Sequence, residues 1–208
     1  MIAIIDYGAG NLRSVECGFA RIGAATCVTR DAAEIAAADG LILPGVGAFA
    51  DAMAALTASG LIPAIRAYAA GGRPLLGICL GMQMLFESSE EGPGADGLGL
   101  VPGVVRRLPD CGLKIPHIGW NTITPAKPSS LLAEACADGD PYVYFVHSYA
   151  CACADPADVL TTTAYGTTFH SAVQRGNVIG MQFHPEKSGA VGKQLLRAFV
   201  ELTEGGRG

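Results

Sequence analysis

Pro74-Leu75-Leu76-Gly77-Ile78-Cys79-Leu80-Gly81-Met82-Gln83 is the stretch of this chain from which the fold can be argued. Residues 74–79 are nearly all apolar and read as a buried strand, and a helix is expected to follow at once. Cys79 stands at the junction, with glycine two residues before it and two after. This is the cysteine version of the nucleophile elbow G-x-S-x-G. Such a strand-to-helix turn forces the nucleophile into a strained backbone conformation, and side chains at 77 and 81 would collide with the neighbouring strand and helix. The turn brings the sulfur to a helix N-terminus, where partial positive charge favours thiolate. The N–H of Leu80 points the same way and can stabilise an oxyanion. Taken alone, the pentapeptide fits a core cysteine between two packing glycines equally well.

Outward from the elbow, the first half keeps alternating strand and helix. Residues 2–6 read as a strand, Tyr7-Gly8-Ala9-Gly10 as a turn, and Asn11 as the cap of a helix running to about Ile22. Strands are expected at 25–29 and 40–43, then one or two helices over 49–70. Apolar strands alternating with helices predict an α/β fold, a mostly parallel central sheet covered by helices on both faces. The second half is richer in strands, at 104–108, 142–148, 159–164, 171–174 and 178–183, and these add antiparallel pairing. A helical turn is expected at 129–137 and a last helix at about 189–201. No repeat or linker interrupts the chain, so residues 1–208 are read as one domain.

Composition excludes several classes. The net charge is −5 and the lysines and arginines are scattered, which argues against nucleic-acid binding. The mean hydropathy is positive, yet no apolar run is long enough to span a membrane. The longest, 74–86, is broken by Gly77 and Gly81. The opening Met1-Ile2-Ala3-Ile4-Ile5-Asp6 lacks a basic region and reads as a strand rather than a signal peptide. Seven cysteines, mostly single and in apolar surroundings, suggest reduced thiols and a cytoplasmic location. Cys151 and Cys153 would share a face of a strand, but no ligands at zinc spacing stand nearby, so buried thiols are favoured over a metal pair. Neither a metal nor a cofactor is expected.

A base for Cys79 is sought among four histidines. Phe183-His184-Pro185-Glu186 follows an apolar strand, and Pro185 keeps His184 out of helix. In extended chain, positions two apart project to one side, so Glu186 could accept from one imidazole nitrogen and leave the other for the thiol proton. Alone, His-Pro-Glu also describes a loop histidine beside an exposed glutamate. Both Cys79 and His184 end strands, and open α/β sheets gather their sites at such ends. His147 ends another strand and is a rival base without a nearby carboxylate. His117 and His170 compete less well. Pro44-Gly45-Val46-Gly47 closes a strand too. It is neither a P-loop nor a dinucleotide fingerprint. Its glycines allow close backbone approach, so Val46 or Gly47 could complete an oxyanion hole with Leu80, although an ordinary tight turn reads the same way.

These pieces together resemble the class I (triad) glutamine amidotransferases, and within them the branch of glutaminase subunits serving imidazole glycerol phosphate synthase. The resemblance spans nearly the whole chain. It rests on Ile5-Asp6-Tyr7-Gly8-Ala9-Gly10-Asn11-Leu12, Leu43-Pro44-Gly45-Val46-Gly47-Ala48-Phe49, the elbow through Gln83, and Ser89-Glu90-Glu91-Gly92. It continues in Pro116-His117-Ile118-Gly119-Trp120-Asn121, Tyr144-Phe145-Val146-His147-Ser148-Tyr149 and Gln182-Phe183-His184-Pro185-Glu186-Lys187-Ser188. It implies a flavodoxin-like fold and hydrolysis of glutamine to glutamate and ammonia, with Cys79 as nucleophile, His184 as acid and base, and Glu186 as orienter. It further implies Gly47, Gln83, Glu91, Ser148 and Tyr149 as holders of the glutamine backbone ends. The implied partner is a (β/α)8-barrel cyclase in a heterodimer for histidine biosynthesis, with Asn11, Trp120, Tyr144 and Lys187 facing it. In that family isolated subunits hydrolyse poorly, which suggests a peptide flip in the loop at 45–47 once the partner is loaded. A glutaminase for anthranilate or pyridoxal phosphate synthesis, a stand-alone cysteine hydrolase, and a non-enzymatic scaffold remain the alternatives. The intact Cys79, His184 and Glu186 argue against the scaffold.

Overall fold

The computed structural model describes residues 1–92 and 94–205. Its first half runs β1 (Ile2–Ile5), α1 (Leu12–Ala20), β2 (Thr26–Thr29), α2 (Ala32–Ala37), β3 (Gly40–Leu43), α3 (Phe49–Ala58), α4 (Ile62–Ala70), β4 (Leu75–Ile78) and α5 (Leu80–Met84). Strands then dominate: β5 (Phe86–Ser89), β6 (Ala95–Asp96), β7 (Val101–Arg107), β8 (His117–Thr122), β9 (Thr124–Pro125), β10 (Tyr142–His147), β11 (Tyr149–Cys153), β12 (Val159–Tyr165), β13 (Thr167–Arg175) and β14 (Val178–Met181). Helix α6 (Gly189–Gly205) follows.

The central strands lie in the order β2-β1-β3-β4-β14, all parallel. Strands β1, β3, β4 and β14 are buried at every position, which is why they show no polar alternation. Successive side chains fall on opposite faces. Ile2, Ile4, Ile42, Leu76 and Ile78 pack with Val15 and Phe19 of α1 and Leu195 and Phe199 of α6. Ala3, Ile5, Leu41, Leu43 and Leu75 pack with Ile35 of α2, Leu56 of α3, Ile65 of α4 and Met82 of α5. The antiparallel extension proceeds from β14 through β13 and β11 to β7. Strands β8 and β10 form a separate antiparallel ribbon.

Some elements escaped the sequence reading. Helix α2 has a single buried residue, Ile35, and so carries no apolar stripe. Strand β8 turns its apolar Ile118 and Trp120 to solvent, which hides its alternation. Strand β5 follows the five-residue α5 directly and has no counterpart among the expected strands. The helical turn expected at 129–137 is present as a run of turns, with Cys136 N–H bonded to Leu132 O and Ala137 N–H to Glu134 O, and does not extend into a helix. Cys151 and Cys153 do share a face of β11, and both pack against the apolar core.

Crowding fixes the elbow. A Cβ on Gly77 would lie 2.6 Å from the Gly81 carbonyl oxygen, and one on Gly81 would lie 1.8 Å from the Leu43 oxygen. Both collisions are with backbone, so no side chain can yield. Among the described residues no single helix is long and apolar enough to cross a membrane. Gly81→Ala is expected to cost about 3 kcal/mol or more, because overpacking against rigid backbone exceeds the usual penalty. Urea unfolding of the variant against the parent measures this.

Candidate active site

Cys79 has φ 55 and ψ −110, and among the described residues no other non-glycine has positive φ. Its N–H bonds to Met181 O at 2.8 Å, and Met181 pairs with Ile78 across β14 and β4. The chain leaving β14 therefore runs beside the elbow, and three residues on it reaches His184. His184 N–H is anchored to Tyr144 O of β10 at 2.9 Å. Its Nδ1 meets Glu186 Oε1 at 2.8 Å, with both side chains buried. The carboxylate arrives by a different route from the extended one expected. Pro185–Lys187 is a one-turn 3-10 helix, and that turn folds Glu186 back under the imidazole.

Burial alone would depress the His184 pKa. The hydrogen bonds and charges of Cys79 and Glu186 outweigh it and raise the pKa from 6.5 to about 9. The imidazole is thus a cation beside the sulfur. Helix α5 has only 5 residues, so its dipole is a smaller influence than the sequence suggested.

A cavity of about 360 Å³ opens over these groups. Val46, Gly47, Leu80, Gln83, Glu91, Ser148 and Tyr149 all line it with Cys79 and His184, so every expected oxyanion and substrate position falls on one cavity. Gly47 adopts φ 93, a conformation that favours glycine. Glu91 Oε2 accepts from Phe49 N–H at 2.7 Å, tying the glycine loop's exit into α3 to the cavity wall. Gln83 uses its amide hydrogens on Tyr149 O and Gln182 Oε1, each at 3.0 Å, which leaves its own carbonyl oxygen for a ligand that donates.

The glutamine amidotransferase class-I family model matches residues 3–202. This chain belongs to the class-I glutamine amidotransferases. It is similar to the imidazole glycerol phosphate synthase subunit HisH of Moorella thermoacetica, at 53% identity over 97% of this chain and 94% of that protein. The proteins of the same name from Bacillus cytotoxicus (51% identity, covering 96% and 93%) and Methanosarcina barkeri (50%, covering 97% and 98%) are similar over nearly their whole lengths. Among solved structures, one titled glutamine amidotransferase superposes with TM-score 0.76 at 20% identity, covering 98% of this chain and all of that one. PurLQS from Thermotoga maritima gives 0.74 at 18% identity, covering 96% and 97%. At these identities the structural likeness speaks for the fold alone.

His147, the rival base, has both ring nitrogens engaged. Its Nδ1 bonds to Tyr149 O at 2.8 Å and its Nε2 faces His117 Nδ1 at 3.0 Å. Burial pulls His147 down to about 3 and His117 to about 4, so both stay neutral. Three of the positions expected to face a partner cluster. Trp120, 56% exposed, meets the Tyr144 ring edge-on at 6.0 Å, and Lys187 Nζ stands 6.0 Å from the centre of that ring. Lys187 also lines the cavity over Cys79 and His184. Asn11 caps α1 through Ser14 N–H and lines a separate cleft, which it shares with Glu186 and Lys187. Sequence reasoning missed Val146 O and Gln182 Nε2, each 3.9 Å from Cys79 Sγ. For Gln182 a signal existed, a polar residue ending an otherwise buried apolar run.

The raised His184 pKa has a definite sign for stability. The imidazolium's contribution is complete below 6.5 and is lost as pH rises through about 9. Glu186→Gln should lower the His184 midpoint in an NMR titration and flatten the fall in unfolding free energy across that window.

Proposed function

We propose that this chain is the glutaminase subunit of an imidazole glycerol phosphate synthase, with Cys79, His184 and Glu186 as its catalytic triad. One observation carries the reading: a strained cysteine, a buried imidazolium and its carboxylate share one cavity with all the expected substrate positions. The subunit name borne by the relatives, at about half identity over nearly the whole chain, supports glutamine as substrate and a synthase as partner.

Sγ of Cys79 attacks the side-chain carboxamide carbon, and the thiol proton resides on His184. The N–H of Leu80 and a donor from the loop at Val46 receive the oxyanion. Collapse of the tetrahedral adduct breaks the C–N bond, and His184 gives its proton to the departing nitrogen, releasing ammonia. His184 then takes a proton from water, whose oxygen cleaves the γ-glutamyl thioester. Glutamate leaves and the thiol is restored. Glu186 holds Nδ1 throughout. Gln83 and Glu91 suit the amino end of glutamine, since each offers an acceptor. Gly47, Ser148 and Tyr149 complete the pocket.

Ammonia passes to a (β/α)8-barrel cyclase that makes imidazole glycerol phosphate and aminoimidazole carboxamide ribotide. The chain works as one cytoplasmic domain in a heterodimer, with no nucleic acid or membrane involved. The exposed apolar face of the β8–β10 ribbon, bearing Ile118, Trp120 and Tyr142, supports a docked protein there, and Asn11 and Lys187 extend it.

Cys79→Ser and Cys79→Ala are expected to lower glutamate release by roughly 10⁴-fold or more while leaving partner binding intact. Assays with candidate barrel synthases, with and without the nucleotide substrate, measure both. Normal turnover in either variant sinks the mechanism. Full activity in the isolated chain counts against a loop at 45–47 that awaits the partner. Trp120→Ala should weaken association by about 2 kcal/mol, on the order of 30-fold in Kd by calorimetry, as for a buried aromatic anchor.

A further inference from the structure

The mechanism leaves one buried polar side chain beside the sulfur unused. Gln182 follows β14 and is 0% exposed, between Met181 and Phe183. Its Nε2 lies 3.9 Å from Cys79 Sγ. Its Oε1 accepts from Gln83 Nε2 at 3.0 Å, and the same Gln83 nitrogen donates to the Tyr149 carbonyl at 3.0 Å.

The direction of this chain is forced. A backbone carbonyl only accepts, so the Gln83 group facing Tyr149 O is its NH₂. That NH₂ also faces Gln182, so the Gln182 atom there is oxygen. The Gln182 NH₂ is therefore turned toward the sulfur. Because the order starts from a backbone group, it does not rest on a choice between amide oxygen and nitrogen in either side chain. His147 Nδ1 also meets the Tyr149 carbonyl at 2.8 Å, so that oxygen accepts from two side chains.

The sulfur thus sits between opposed neutral groups. Val146 O, at 3.9 Å, suits the thiol because it accepts from S–H. Gln182 Nε2 suits the thiolate because it can only donate. Hydrogen bonds to an ionised acceptor are roughly twice as strong as neutral ones, so the donor gains most when the sulfur is an anion.

We propose that Gln182 is a further catalytic residue of this site, an amide donor that stabilises the Cys79 thiolate, and that Gln83 is the positioning residue that aims it. This rests on Cys79 being the nucleophile. Gln83 therefore has two tasks, and its amide orients Gln182 whether or not a ligand occupies its carbonyl oxygen.

Alkylation of Cys79 by iodoacetamide tests this without glutamine. The purified full chain is followed by peptide-resolved mass spectrometry, with the exposed Cys17 and Cys111 as internal references. Gln182→Glu keeps the acceptor that Gln83 needs and replaces the donor by a second acceptor. Gln182→Met keeps the length and removes both. In each, Cys79 alkylation near neutral pH should fall by about tenfold, the order expected for one lost charge-assisted hydrogen bond, and its pH profile should move upward. With the partner present, kcat for glutamine hydrolysis should fall in parallel while KM stays unchanged. Gln83→Glu, which loses both donor hydrogens, should slow alkylation too, although no substrate is bound.

Unchanged Cys79 alkylation in folded Gln182→Glu or Gln182→Met, or an effect confined to KM, overturns the proposal. If neither variant folds, Gln83→Glu decides on an intact Gln182, and unchanged alkylation there overturns it. A parent chain that neither alkylates at Cys79 nor releases glutamate instead sinks the nucleophile, and the proposal with it. A reactive parent with unchanged variants sinks Gln182 alone.

Discussion

The hydrogen bond from Cys79 N–H to Met181 O carries the parallel pairing of β4 and β14 one residue past the strand ends, and much of the site hangs on it. It holds Cys79 in a left-handed conformation that an isolated L-residue would leave. It also sets the chain of β14 beside the elbow, which brings Gln182 to the sulfur, and the bond from His184 N–H to Tyr144 O holds the imidazole there. Gly77 and Gly81 make the approach physically permissible, since a side chain at either position would strike backbone. Strain at Cys79 is thus held by the rigidity of a fully buried parallel sheet.

Around that constraint the cavity is built from two kinds of group. One kind is charged and adjacent to the sulfur: His184, kept cationic by Cys79 and Glu186 against the pull of burial. The other is neutral and ordered by hydrogen-bond polarity: Gln83, Gln182, His147 and His117, all arranged around the Tyr149 carbonyl or one step from it. In a low-dielectric pocket such neutral networks fix geometry without adding charge to be neutralised. The His117–His147 pair carries this network to β8, where Asn121 Nδ2 faces His117 Nε2 at 3.4 Å, on the strand that bears the exposed Trp120.

The ribbon of β8 and β10 has two unlike faces. Its inner face, with His117, Phe145 and His147, is buried and stacked. Its outer face leaves Ile118, Trp120 and Tyr142 to solvent. Large exposed side chains on one short ribbon are uncommon on a surface with no partner. Lys187 stands beside Tyr144 of this ribbon and also lines the cavity over Cys79 and His184, so the exposed face and that cavity meet at one residue.

The sequence by itself determined the parallel core, because strands buried on both faces must be apolar throughout. It also determined the elbow, because only glycine fits at 77 and 81. It named Cys79, His184 and Glu186 through local spacing, together with the pocket residues through their resemblance to a known pattern. Tertiary structure decided the rest. The 3-10 turn that brings Glu186 under His184 depends on packing after Pro185. The neutral state of His147 depends on its burial, with its two nitrogens turned to Tyr149 O and to His117 across the ribbon. The place of Gln182 at the sulfur depends on β14 lying next to β4, a pairing between segments about a hundred residues apart. Short-range pattern reports what a residue can do, but only long-range pairing settles which atoms it faces.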